Sequence, residues 1–124
     1  MTREEKELLL RDLCARLPYG VKIQVPYEDG SGYFDETVWE VNNDEPFHVN
    51  GWGIEYIKPY LFPLSSMTEE QTEELIKLIN TDQNDNNEFM RSLCRIEFYH
   101  KNHFDYRGLI EKGLAVDATG LNIY

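Results

Sequence analysis

The chain has 124 residues, 41% of them apolar and 13% aromatic, and carries 12 lysines and arginines against 23 acids for a formal net charge of −11. That length encloses one core, so a single globular domain over 1–124 is expected, and the apolar supply excludes a disordered chain. The acidity argues against direct contact with nucleic acid or an anionic membrane surface, both of which select Lys and Arg, and leaves a protein partner of basic character.

Thr2 and Glu5 have the spacing of a capping box, which predicts a helix from the first residues onward. Leu9, Leu10, Leu13, Cys14 and Leu17 recur at three-and-four spacing on one face, and Pro18 and Gly20 stop the helix near Leu17. "VKIQV" (21–25) alternates as a half-buried strand does, and Pro26 closes it. After the "EDGSG" turn, "YFDETVWEV" alternates again, in a register through Thr37, Trp39 and Val41 or through Val38 and Glu40. "NNDEP" is the next turn, and "FHV" with "GWGIEYI" gives one or two further short strands broken by Gly51 and Gly53. Short connections make these a meander of three to four antiparallel strands.

Pro59 biases Lys58 away from helix, so "PYLFPL" reads as an extended crossover. Thr68 and Gln71 form a second capping box, with Ser65 and Ser66 as other caps, ahead of a helix whose buried stripe is Leu75, Ile76 and Ile79. "NTDQNDNN" (80–87) is a turn, and a further helix runs from about Glu88 to about Asn102, its inner side made by Phe89, Met90, Leu93, Cys94 and either Ile96 or Phe98. "HFDYRGLIEKG" suits a short helix capped by Asp105, and "LAVDATGLNIY" a final strand or ordered tail. The fold class is α+β: an N-terminal helix, the meander, and two to three C-terminal helices packed on one of its faces.

"IKPYLFPLSSMTEEQ" and "NHFDYRGLIEKGLAV" together resemble a family of small uncharacterised proteins of Bacteroides-type gut bacteria, their phages and mobile elements. Phe62 stands where the family carries a basic residue and Leu64 where Met is common. The family has no established activity, so the resemblance implies only context: a bacterial, intracellular accessory protein, phage- or element-encoded.

Cys14 and Cys94 both fall in apolar-periodic segments, as small buried thiols do, which fits a reducing, cytoplasmic setting. No charged-then-apolar leader opens the chain, and no apolar run approaches the ~20 residues that span a bilayer.

Neither cysteine has the neighbours of a nucleophile, Ser65-Ser66 lacks the elbow that presents one, and the "EDGSG" and "NGWG" glycines match no phosphate loop. Asp35-Glu36 and Asp44-Glu45 read as solvated turns rather than an acid/base pair. No catalytic residue, metal or cofactor is assigned. The candidate binding residues are Tyr60, His103, Asp105, Tyr106 and Arg107, because Tyr and Arg dominate interface hot spots; the competing reading is an Arg–Asp or capping interaction that locks the last segment. Trp39 and Trp52 are core fillers or exposed anchors.

The functional expectation is a small acidic interaction module, an adaptor or modulator, whose base-free span between Lys22 and Lys58 faces a basic partner. The alternatives are a metal-dependent hydrolase using His100, His103 and Asp105, or His48 with nearby acids, and a structural or assembly protein.

Overall fold

A computed structural model describes residues 1–80 and 88–124 and places an α-helix where the first capping box predicts one. Thr2 Oγ1 accepts from the Glu5 amide at 3.1 Å, and Glu5 Oε1 accepts from the Thr2 amide at 2.8 Å. Helix α1 (Arg3–Arg16) passes into a 3-10 turn at Leu17–Tyr19 and ends on Gly20, whose φ of 71° is the left-handed conformation that glycine adopts without strain.

Among the described residues five of the eight strands are only two residues long, and together the strands make an α+β fold with two sheets rather than one meander. In the larger sheet, β1 (Lys22–Pro26) pairs antiparallel with β2 (Tyr33–Thr37) on one side and with β6 (Lys58–Pro63) on the other. The smaller sheet is a true meander of β3 (Val41–Asn42), β4 (His48–Val49) and β5 (Trp52–Gly53). Asn50 and Gly51, with φ of 52° and 81°, join β4 to β5. Two consecutive positive-φ residues give the turn a twist that matches the flanking strands, and Asn-Gly tolerates it best.

The expected crossover at "PYLFPL" is instead the central strand β6, which changes partners along its length. Its first two residues pair with β1 (Ile23↔Pro59, Gln24↔Lys58), the next two run parallel with β8 (Val116–Asp117), and the last two run parallel with β7 (Phe104–Asp105). The segments "KPYLFP" and "FDYRG" are therefore neighbours in space, with Phe62 and Pro63 paired to Phe104 and Asp105. Continuing the β1–β6 register by one pair would set Lys22 opposite Tyr60. There the Tyr124 hydroxyl intervenes, accepting from the Lys22 amide at 2.8 Å and donating to the Tyr60 carbonyl at 2.8 Å. One phenol thus relays the hydrogen bond that the diverging strands no longer make directly.

Two apolar clusters hold these elements together. The larger joins Leu9 and Leu13 of α1 to Ile23, Val25, Val49, Ile57, Leu61 and Leu109, all fully buried. The smaller joins Leu75 of α2 (Glu69–Ile79), Phe98 of α3 (Glu88–Lys101) and Phe104. The second capping box, Thr68 with Gln71, opens α2 as predicted.

Several expectations about faces are corrected. Cys14 is exposed and donates to Asn43 Oδ1 at 3.4 Å, because the buried face of α1 runs through Leu9, Asp12, Leu13 and Arg16 instead. Cys94 is half-buried. On α3, Phe89, Leu93 and Ile96 are exposed while Phe98 and His100 are buried, and on α2 Ile76 is exposed. Of the inner-side residues expected on α3, Met90 and Cys94 are half-buried and Phe98, one of the two alternatives, is buried, so the covered stripe runs 90-94-98 and leaves Phe89, Leu93 and Ile96 on the solvent side. Asp105 caps no helix; it organises a hydrogen-bonded turn. The predicted turn at 80–87 lies, apart from Asn80, outside the described residues. No helix among the described residues is long and apolar enough to cross a membrane.

Candidate functional site

The "HFDYRG" segment folds back on α1 around a buried carboxylate. Asp12, wholly buried, accepts from Arg16 Nε at 2.8 Å through Oδ2 and from Arg107 Nε at 3.1 Å through Oδ1. Arg16, equally buried, donates through Nη2 to the Phe104 carbonyl at 2.6 Å. The Tyr106 ring lies 4.9 Å from the Arg107 guanidinium carbon and 5.4 Å from that of Arg16, and stacks on Tyr99. Cation–π contact adds to charge pairing here, since Tyr106 offers its electron-rich face to both guanidinium groups.

The carboxylate of Asp105 is fully used by backbone: Oδ1 accepts from the amides of Arg107 (3.3 Å) and Leu109 (3.0 Å), and Oδ2 from that of Ile110 (2.9 Å). His100 Nε2 and the Tyr106 hydroxyl share a hydrogen bond of 2.7 Å. His103, at a φ of 61°, lays its ring parallel to Tyr124 with centroids 3.6 Å apart. Burial, together with the hydrogen bond its hydroxyl donates to Asp35 Oδ1 at 2.5 Å, pushes the Tyr60 pKa up to about 12.

The structure therefore gathers His103, Asp105, Tyr106 and Arg107 around β7 and sets Tyr60 elsewhere on β6. The polar groups of Tyr60, Asp105 and Arg107 engage intramolecular partners. His100, His103 and Asp105 do not converge on a common point, and no three His, Cys, Asp or Glu side chains among the described residues are grouped to hold a metal ion.

Burial lowers the His103 pKa to about 4, with the Arg16 and Lys22 charges adding to the effect, and burial also lowers that of His100. A folded pKa below the unfolded one means that the unfolded chain binds more protons, so stability is complete above about pH 6.5 and declines toward pH 4. For His103 the loss falls in the window between the ordinary histidine value and about pH 4. Urea melts across that range should show the loss, and His103→Asn, which tolerates positive φ and does not titrate, should flatten the slope. An unchanged slope would assign the protons to another group.

A second region has the opposite character: its aromatic and acidic groups face solvent. Tyr33, Trp39 and Tyr56 are 62%, 66% and 63% exposed, and Tyr27 is 47% exposed. All four lie in the span between Lys22 and Lys58, which has no Lys or Arg and holds Glu28, Asp29, Asp35, Glu36, Glu40, Asp44, Glu45 and Glu55. Of these eight acids, only Glu36 is not exposed. Trp39 is thus an exposed group, while Trp52 is half-buried and donates Nε1 to Glu36 Oε2 at 3.0 Å.

Beside Trp52 is a groove of ≈ 410 Å³ lined by Pro26, Tyr27, Glu28, Trp52, Gly53 and Tyr56. Its walls are braced from behind: Tyr27 packs on Phe34 with centroids 5.1 Å apart, and Phe34 meets Trp52 edge-on at 5.8 Å. A Cβ at Gly53 would stand 3.1 Å from Tyr56 Cδ2, so glycine lets that ring approach the hairpin. A larger cleft of ≈ 510 Å³ lies at the start of α1, but Arg3 and Glu45 on its wall already pair at 2.7 Å.

Sequence reasoning missed this groove because it took "NGWG" as a strand break. The Asn-Gly dipeptide between Val49 and Trp52 is the hairpin signal that would have found it, since that turn presents Trp52 next to Tyr27. Compared with family models, with curated proteins and with solved structures, the chain matches none.

Proposed function

We propose that the chain is a small acidic protein-interaction module, an adaptor or modulator, that meets a basic protein partner through the surface of residues 23–57. The observation that carries this reading is the coincidence of exposed aromatics with exposed carboxylates in one base-free span. Carboxylates in such a field accelerate encounter and reject acidic competitors, and Tyr and Trp supply contact area at low entropic cost. The family resemblance supports a bacterial host or its phage as the setting and the cytoplasm as the compartment.

Glu28, Glu40 and Glu55 are exposed and suit a test, since their neutralisation leaves the buried Asp12 and Asp105 networks intact. A partner captured by the wild type should elute with rising salt and bind a Glu28→Gln/Glu40→Gln/Glu55→Gln variant with about tenfold slower association at low ionic strength. Equal, salt-insensitive binding to both proteins would overturn the reading.

A further inference from the structure

We propose that the groove between Tyr27, Trp52 and Tyr56 seats an arginine side chain of the basic partner; this inference rests on the preceding reading and assigns its point of contact. The lining excludes other occupants by chemistry. Glu28 and the surrounding acids repel an anionic group, and an uncharged apolar side chain would leave their charge uncompensated. A cation satisfies both features, because aromatic faces attract it and the carboxylate neutralises it.

Between the two natural cations, the shape favours arginine. A guanidinium is planar, stacks on aromatic rings and is more weakly hydrated than an ammonium, so it loses less on entering a groove walled by three rings. No lysine or arginine of this chain between residues 23 and 57 competes for the place.

The groove is also prepared in advance. Trp52 cannot swing freely while Nε1 is bonded to Glu36 and its face is held by Phe34. The Asn50-Gly51 turn that carries Trp52 is in turn fixed by the Asn50 amide, which donates to Glu36 Oε2 at 3.1 Å and to the Thr37 carbonyl at 2.9 Å. Walls that are ordered before binding spare the complex the entropy of ordering them. Tyr27 and Tyr56 are exposed at the rim, where a guest can reach their faces.

The test uses Trp52 as its own reporter. The chain has two tryptophans, so a Trp39→Phe background leaves only Trp52 emission. Three capped octapeptides alternating glycine with arginine, lysine or citrulline are titrated into it; citrulline keeps the shape of arginine without its charge.

The arginine peptide should shift Trp52 emission saturably and bind about tenfold more tightly than the citrulline peptide. Tyr56→Ala and Glu28→Gln, each melting like the parent, should weaken it about fivefold or more. Lysine binding as tight as arginine binding in all variants would overturn the groove while leaving the acidic surface in place. If no basic peptide binds although a salt-sensitive partner is still captured, the groove again fails and the broader reading stands. If neither peptide nor partner binds, both fall.

Discussion

Asp12→Ala is expected to lower the free energy of unfolding by about 3–5 kcal/mol, the usual loss when one member of a buried ion network is removed. The reason lies less in the lost attraction than in what remains. Arg16 is wholly buried, and without Asp12 its only described protein acceptor is the Phe104 carbonyl. Arg107 loses its carboxylate as well, although it is partly exposed and water can take over. Arg107→Ala alone should therefore cost far less, about 1–2 kcal/mol, and should cost still less when Asp12 is already alanine. Urea denaturation of the two single variants and the double variant measures this coupling. Additive losses would show that Arg107 does not depend on Asp12. Because a fall of this size approaches the whole stability of many domains of this length, Asp12→Asn, which keeps the volume and one acceptor oxygen, is the milder companion.

The second large effect is at Asn50. Its side chain accepts from the amides of Trp39 (2.9 Å) and Glu40 (3.2 Å) and donates to Glu36 and to the Thr37 carbonyl, tying the chain after β2 to the β4–β5 turn. Its backbone holds a φ of 52°. Three substitutions separate these roles. Asn50→Gly keeps the conformation and deletes every side-chain bond, and should cost about 2 kcal/mol. Asn50→Ala adds the strain of a left-handed alanine and should cost about 1 kcal/mol more. Asn50→Asp keeps both acceptor contacts but sets a carboxylate against Glu36, so its loss should shrink as the pH is lowered and the two acids protonate. Thermal melts of the three proteins give the order. If glycine and alanine destabilise equally, backbone strain contributes nothing at this turn.

The starts of α1 and α2 were readable because both capping boxes are local: four consecutive residues contain donor and acceptor together. The strand at "VKIQV" was readable for the same reason. What the sequence concealed is non-local. Asp12 and Arg16 share the three-and-four spacing of Leu9 and Leu13, so their burial was written in the pattern, but charged side chains on an apolar stripe make sense only when Arg107 and Phe104, some ninety residues on, are known to be there. "FDYRG" stood out by composition, and its spatial neighbour "KPYLFP" by its prolines. That they pair in parallel could not be seen, because a parallel pair carries no turn signal between its strands. The groove at Trp52 stayed hidden because it needs the hairpin at Asn50 and the turn after β1 at once.

The succession of partners along β6 also bears on the order of assembly. A strand whose neighbours come first from residues 23–24, then from 116–117 and 104–105, cannot be completed while only the N-terminal half of the chain has emerged from a ribosome. Until the last third arrives, α1 has no acceptor at Phe104 for Arg16, and Leu61 has no strand at its side. Closing contacts this far apart in sequence slows folding, since loop entropy is lost before those contacts return any stabilisation. During synthesis the acidic span 23–57 is already present, so its like charges keep the waiting chain apart from other copies while it is most prone to aggregate.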